Sequence, residues 1–583
     1  MTIEIIRHST SHILAAAIQQ LFHGAKFGIG PIIENGFYYD FDLPRSLTPE
    51  DLPKIEKKMK EMIKKNSKFT KEELTINKAI DLFKKSKQPY KVELIKDLQK
   101  EEKVKKVTIY KTGDFIDLCR GPHIQSTKEI KSNAFKLTKI AGAYWKGDEK
   151  NKMLQRIYGV AFNTQKELDE YLAKQAEVEK TDHRRLNNLL NFYQISDEVG
   201  PGLVMLHPKG AVIREEIEKF WKEEHQKRDY QYVTTPHIGK LGLWKKSGHW
   251  DFFRESIYNP MKIEETQYLL KPMNCPFHVQ IYQSQIRSYK ELPIRYCELG
   301  TVYRYEKAGV LHGLLRVRGF TQDDAHIFCV PEQLAKEIIG VLDLAIFMLK
   351  TFGFKEYEFE LAVRDPKGKK KKYLGDDKIW QKAEKALVYA LEKKKLKYHR
   401  AEGEAKFYGP SIDIKLIDAL GRGWQGPTIQ VDFNFPEKFN LTYIDNEGKK
   451  QQPIMIHRTV LGATDTRFLG CLIEHYGGAF PVWLSPVQAR IIPVGKRHQK
   501  YAQQIAEQLK EKNIRWELKD DNETVSKKIR DGELQKIPYL LIVGDKEIKS
   551  DSVAVRDRKK GDIGPIKTKE FIAQIKEEIE KRK

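Results

Sequence analysis

One cysteine and two histidines stand far apart in the chain yet carry complementary chemistry: Cys275 in KPMNCPFH, His326 in RGFTQDDAHIF and His457 in PIMIHRTVLG. A thiolate and two imidazoles suit tetrahedral zinc, and three protein ligands leave the fourth position open to a substrate. A second set lies near the N-terminus, in His8-Ser-Thr-Ser-His12 and Cys119-Arg-Gly-Pro-His123. Histidines four apart share one face of a helix, and by spacing alone these four also read as a zinc site. Arg304, Glu306, Arg316 and Arg318 crowd into YRYEKAGVLHGLLRVRGF, which reads as two strands around a loop. Guanidinium forks bind phosphate oxygens bidentately, so this segment suits a polyphosphate; a basic hairpin on a solvated surface is the competing reading.

Positioning such groups takes several domains, and 583 residues exceed what one core supports. Residues 1–163 open with an apolar helix, HSTSHILAAAIQQLF, pass through strand-rich GPIIENGFYYDF and carry a charged helical insertion, KIEKKMKEMIKKNSKFTKEEL. They read as a compact α+β unit. Residues 164–190 are polar with helical spacing, a connecting helix. The block 191–485 alternates strand-like and helical runs and holds the candidate zinc and polyphosphate segments. From 486 to 583, ARIIPV, HQKYAQQIAEQLKE, IRWELK, TVSKKIRDGE and PYLLIV alternate in βαβ fashion, predicting a parallel sheet. The one low-complexity piece, KGKKKKY from Lys367, reads as a solvated loop.

The formal net charge is +23, from 104 Lys and Arg against 81 Asp and Glu, an excess that draws nucleic acid. A membrane is disfavoured as partner. The richest apolar run, IIGVLDLAIFMLKTFGF, is interrupted by Asp343 and Lys350. MTIEIIRHSTSH offers no secretory apolar region, and five cysteines, an odd number, suggest the reduced thiols of a cytoplasmic protein.

With these segments in view the chain resembles the bacterial-type threonyl-tRNA synthetases, class II aminoacyl-tRNA synthetases, from about His8 to the C-terminus. The class motifs are TTPHI around Pro236, VYRYE through RVRGF, and LGATDTRFLGCLIEHYGGAFPVWLSP with Arg467. MNCPFH, TQDDAH, FYGPSID and MIHRTVLG resemble the marks of the threonine enzymes. The resemblance implies an α+β multidomain protein: an N-terminal α+β editing domain, a class II antiparallel-sheet catalytic core and a C-terminal α/β anticodon-binding domain. It also implies a homodimer built through the motif at Pro236.

The implied reaction joins L-threonine to ATP, with Mg²⁺ serving the phosphates, and passes the aminoacyl group to threonine tRNA. Arg304 corresponds to the arginine bridging carboxylate and α-phosphate, Glu306 to the adenine-side glutamate, Phe320 and Arg467 to the adenine sandwich, and Arg316 to a γ-phosphate contact. Valine is nearly isosteric with threonine, and an apolar pocket separates the two poorly. By the resemblance, one zinc per chain on Cys275, His326 and His457 takes the amine and hydroxyl of threonine in a five-coordinate centre. Asp324 accepts from that hydroxyl, and Gln322, Tyr408 and Gln430 line the pocket. His249 in WKKSGHWD matches the histidine near the terminal ribose 2′-hydroxyl, where a neutral imidazole relays a proton.

Serine carries the same amine and hydroxyl, so a second sieve is implied. In the family the N-terminal cluster hydrolyses seryl-tRNA without a metal, which assigns His8, His12, Lys91, Asp117, Cys119 and His123 to a hydrolytic pocket in preference to zinc. Asn522, Glu547 and Arg556 correspond to anticodon contacts; an arginine fork can read the O6 and N7 edge of an unstacked guanine. Three departures stand out. The usual N-terminal ubiquitin-like module is not seen, Ser411 stands where a lysine is usual, and one extra residue precedes Arg467. The last two sustain an alternative, a synthetase-like regulator that binds tRNA or a folded mRNA without charging it.

Overall fold

In Gly36–Asp42 the side chains of Phe37, Tyr39 and Phe41 are all fully buried, the period-two signature of a strand with one face on a core. The computed structural model describes residues 2–365, 373–375, 377–418 and 421–582, which leaves Lys367–Lys372 of the lysine run outside the described residues. The chain forms two compact units, Met1–Ala176 and Glu177–Lys583.

In the first unit the strands Lys26–Phe27, Gly36–Asp42, Met153–Ala161 and Phe135–Tyr144 form an antiparallel sheet in that order. Helix Ile3–Leu21 shares its core through Ile13, Leu14 and Ile18. The charged insertion divides in a way the sequence did not announce. Helix Asp51–Lys64 is followed by strand Phe69–Thr75, which pairs antiparallel with Lys106–Thr112, itself paired with Phe115–Leu118. KFTKEEL is too charged to signal a strand by apolar alternation, and ladder bonding to a neighbour decides its state.

The expected connecting helix is two, Gln165–Thr181 and His183–Leu190, separated by Asp182, whose carboxylate caps the second by accepting the Arg184 amide. The second unit is built on an eight-stranded sheet in the order Gln231–Tyr232, Ile294–Tyr303, Gly319–Cys329, Ile454–Thr459, Gly423–Asp432, Ser411–Ile417, Glu356–Val363, Tyr398–Glu402. It is antiparallel except at its two outermost pairs. Helix Leu334–Thr351, which holds the apolar run, packs on the main core through Ile338, Leu342 and Leu349, while Asp343 pairs with Lys394 at 2.6 Å at the surface. No helix among the described residues is long and apolar enough to cross a membrane.

The C-terminal strands Trp516–Leu518, Ala489–Pro493 and Tyr539–Val543 run parallel, as the alternation predicts; Ser552–Asp557 and Gly561–Lys567 extend the sheet antiparallel.

Candidate functional site

Strand register assembles the catalytic candidates. His326, His457, Gln430 and Ser411 are successive partners across four neighbouring strands. Gln322, Asp324 and His326 alternate along one strand and so share its face. Helix Cys275–Gln283 supplies its first residue. A cavity of about 320 Å³ is lined by Cys275, Arg304, Glu306, Arg316, Phe320, Gln322, Asp324, His326, Tyr408, Gln430, His457 and Arg467.

Cys275, His326 and His457 are buried, with their ligand atoms within 4.8 Å of one another. His326 Nδ1 lies 2.8 Å from His278 Nδ1, and His278 Nε2 is 3.1 Å from Glu298. His457 Nε2 lies 2.9 Å from Asp432 Oδ2. Each ring is thus held through one nitrogen, directly or through a second histidine, by a carboxylate, leaving the other nitrogen for a ligand. Burial pushes the Cys275 thiol well up, so a cation is the partner that would keep it as thiolate. The donor set and its supports fit zinc.

Arg304 and Arg318 extend their two strands by one bond, Arg304 N–H to Arg318 O at 2.9 Å, whereas Glu306 and Arg316 belong to the loop. Arg304 Nε donates to Pro272 O at 3.2 Å, and its guanidinium lies 5.1 Å from the Phe320 ring centroid. Arg316 pairs with Glu306 at 3.0 Å. Arg318 donates to the Glu306 carbonyl and does not line the cavity. Arg467 opens helix Arg467–Tyr476 and donates to Leu315 O at 3.2 Å. Tyr408 OH donates to Gln430 Oε1 at 2.5 Å.

His249 is fully buried and outside the cavity lining. Its Nδ1 lies 2.8 Å from Ser247 Oγ, the rings of Phe253, Phe407 and Phe435 surround it, and burial pushes its imidazole down to about 3. Ser411 is buried too, donating to Asp413 at 2.9 Å. Lys406, which sequence reasoning passed over, lines the cavity; its backbone bridges to Gly409, and its side chain makes no hydrogen bond or ion pair with another described residue.

In the first unit all six N-terminal candidates interlock. His8 and His123 lie 3.3 and 3.2 Å from Cys119 Sγ, and the His8 and His12 rings lie 4.2 and 4.1 Å from that of His123. His8 Nδ1 sits 3.2 Å from the Pro122 carbonyl, which only accepts. That proton placement leaves Nε2 as acceptor for the Cys119 thiol, raised by burial to about 11. His12 approaches Asp117 at 3.5 Å, and Lys91 pairs with the same Asp117 at 2.5 Å. Sequence reasoning missed Tyr39, whose hydroxyl donates to Asp117 at 2.7 Å and accepts from Lys91 at 3.0 Å. In GFYYDF it reads as one more core aromatic.

Among the C-terminal candidates, Asn522 is exposed in a bend, Glu547 caps its own helix Asp545–Ser550 by accepting the Gly544 amide at 2.9 Å, and Arg556, on strand Ser552–Asp557, pairs with Glu533 at 2.8 Å. The three share no bond with one another among the described residues.

Family models match three stretches: Threonyl and Alanyl tRNA synthetase second additional domain over 107–158, tRNA synthetase class II core domain (G, H, P, S and T) over 258–476, and Anticodon binding domain over 488–578. The chain is 54% identical over 556 residues to a threonine–tRNA ligase of Dehalococcoides mccartyi, covering 95% of this chain and 93% of that one. It is 52% identical over 581 residues to a threonine–tRNA ligase of Sulfurihydrogenibium sp., with 99% and 89% covered. The solved RNA binding domain of threonyl-tRNA synthetase from Cryptosporidium parvum superimposes with TM-score 0.65 at 36% identity, over 68% of this chain and 98% of that one. Identity at this level over nearly the whole length, together with the class II core and the editing domain, makes this chain a member of the threonine–tRNA ligase family, ATP-dependent class II synthetases.

Proposed function

We propose that the cavity activates threonine with the roles read from the sequence, and that the N-terminal cluster hydrolyses seryl-tRNA. The observation that carries this reading is the convergence of twelve candidates from separate segments on one cavity. The threonine carboxylate attacks the α-phosphorus, a mixed anhydride forms, and the bond to the β-phosphate oxygen breaks to release pyrophosphate. Arg304 spans carboxylate and α-phosphate, Arg316 meets the γ-phosphate, Glu306 faces the adenine, and Phe320 and Arg467 stack on it. No protein nucleophile is required, because fixed cations and positioning supply the rate. Mg²⁺ accompanies ATP.

Cys275, His326 and His457 would hold zinc, which supplies a Lewis acid selecting the amine and hydroxyl of threonine over the methyl of valine. Asp324 accepts from the hydroxyl, with Gln322, Tyr408 and Gln430 around it. Lys406 supplies the cation that Ser411 does not. His249, neutral at physiological pH, relays the ribose proton once its aromatic cover shifts.

In editing, Lys91, Tyr39 and Asp117 form a polarised relay beside His8, His12, His123 and Cys119. The Cys119 thiol has His8 and His123 as its own partners, which supports a metal-free pocket, although the four also make a group able to hold a metal and the buried Nδ1 of His12 has no partner among the described residues. Asn522, Glu547 and Arg556 read the anticodon. The domain limits 1–163, 164–190, 191–485 and 486–583 belong to this reading, as does a homodimer through the exposed Tyr232, Pro236 and Ile238. Five free cysteines suit a reducing cytoplasm. Threonine-dependent exchange of pyrophosphate into ATP tests activation: its absence from tRNA-binding protein would favour the regulator.

A further inference from the structure

His183, fully buried, stands where four segments of the second unit meet. Its Nδ1 lies 2.6 Å from Glu474 Oε1 in helix Arg467–Tyr476, and its backbone amide reaches the same oxygen at 3.2 Å. Its Nε2 accepts the Leu314 amide at 3.0 Å. A carboxylate only accepts and an amide N–H only donates, so the two partners specify the neutral imidazole with its proton on Nδ1.

Leu314 sits at the tip of a miniature hairpin in which His312 and Arg316 exchange backbone bonds of 3.1 and 3.3 Å. Gly313 allows the approach: its φ is +47°, and a Cβ there would collide with His183 Nε2. The next residue, Leu315, offers the carbonyl that holds Arg467. The far oxygen of Glu474 pairs with Arg422 at 2.7 Å, at the start of the strand that carries Gln425 and Thr428 into the cavity.

We infer that His183 is a positioning residue for the nucleotide: it clamps the hairpin tip so that Arg316 and Arg467 face the triphosphate and adenine. This rests on the reading of those two arginines as nucleotide contacts. Losing the acceptor leaves a buried amide unsatisfied and frees the tip, and the Arg316 side chain, 52% exposed, then has only Glu306 to hold it. The threonine side is held separately, because Gln322 and Asp324 are paired directly with Gly300 and Glu298 on the neighbouring strand Ile294–Tyr303. The defect must therefore fall on ATP.

Pyrophosphate exchange by the full chain, with KM measured separately for ATP and threonine, tests this. His183→Asn can keep the bond to Glu474 but does not reach Leu314, whereas His183→Gln extends an acceptor to the Nε2 position. His183→Asn is expected to raise KM for ATP about tenfold, the scale of one buried hydrogen bond, with KM for threonine within about twofold, and His183→Gln to recover most of the loss. If His183→Asn does not fold, Gly313→Ala, which pushes the tip off an intact His183, must give the same ATP-selective rise. Equal rises in both KM values, a fall in kcat alone, or a lower Tm at unchanged KM for ATP overturns the inference. Arg316→Ala is measured alongside. An unchanged KM for ATP there sinks the nucleotide reading itself, while a rise there with none in the His183 variants sinks only the role of His183.

Discussion

Asn274 donates from Nδ2 to Asp324 Oδ2 at 2.7 Å, and the same nitrogen reaches Gly300 O at 3.3 Å. Asn274 is fully buried, and a Cβ at position 300 would fall on its carboxamide, so the amide is locked behind the carboxylate. The group proposed to read the threonine hydroxyl is thus oriented from outside the cavity. Asn274→Ala should lower the ratio of kcat/KM for threonine over valine about tenfold, as expected for one bond to a charged group, and leave KM for ATP unchanged. An unaltered ratio would make Asn274 a packing residue.

Metal analysis should find about one zinc per chain, carried by Cys275, His326 and His457. Cys275→Ala should lose it. Undiminished zinc in that variant would sink the assignment, and two zincs per chain would mean that the N-terminal cluster is a metal site as well.

Replacing His8 and His12 together by Ala should leave threonine charging within about twofold, while seryl-tRNA accumulates because the first site accepts serine. Added zinc should not rescue the variant, since the Cys119 thiol already has His8 and His123 as partners and the proposed hydrolysis uses no metal. Clearance of seryl-tRNA at the parent rate would make both histidines structural.

Lys406→Ala should lower kcat/KM for activation about tenfold, the effect of one charge-assisted contact. Adding Ser411→Lys to that variant should restore part of the loss. If Lys406→Ala exchanges pyrophosphate like the parent, its cation does not meet the substrates.

Arg556→Ala should weaken charging of threonine tRNA by roughly 1–3 kcal/mol, the worth of one bidentate base contact, without touching activation. Because Arg556 is already bonded to Glu533, Glu533→Gln should act in the opposite direction. Equal charging by all three proteins would remove Arg556 from anticodon reading.

Much of the candidate site was legible because the residues that line the cavity sit in short motifs whose types suggest ligands and phosphate contacts. That Cys275, His326 and His457, far apart along the chain, would share one site followed from the resemblance and not from their spacing. Residues whose role depends on neighbours were harder to see. Tyr39 looks like a core aromatic until Lys91 and Asp117 close on its hydroxyl. His278 becomes meaningful only once it relays Glu298 to His326. Arg316 and Arg318 looked alike in RVR, yet Arg316, still in the loop, lines the cavity while Arg318, where the strand pairing begins, donates to a carbonyl. The strand Phe69–Thr75 and the break at Asp182 were missed for the opposite reason, because local composition there favours no particular answer.

The row His326, His457, Gln430 and Ser411 also bears on how the molecule is assembled. Its members come from four strands, of which the one carrying His326 is far in sequence from the other three, and a slip of one residue between any two turns a side chain to the opposite face. The proposed amino-acid pocket therefore cannot exist in a half-formed sheet. It closes only when the slow, long-range pairings are complete. Occupancy of that pocket by its ligand counts the chains whose strands have found their register, which makes ligand binding at this row a measure of folding fidelity as well as of catalysis.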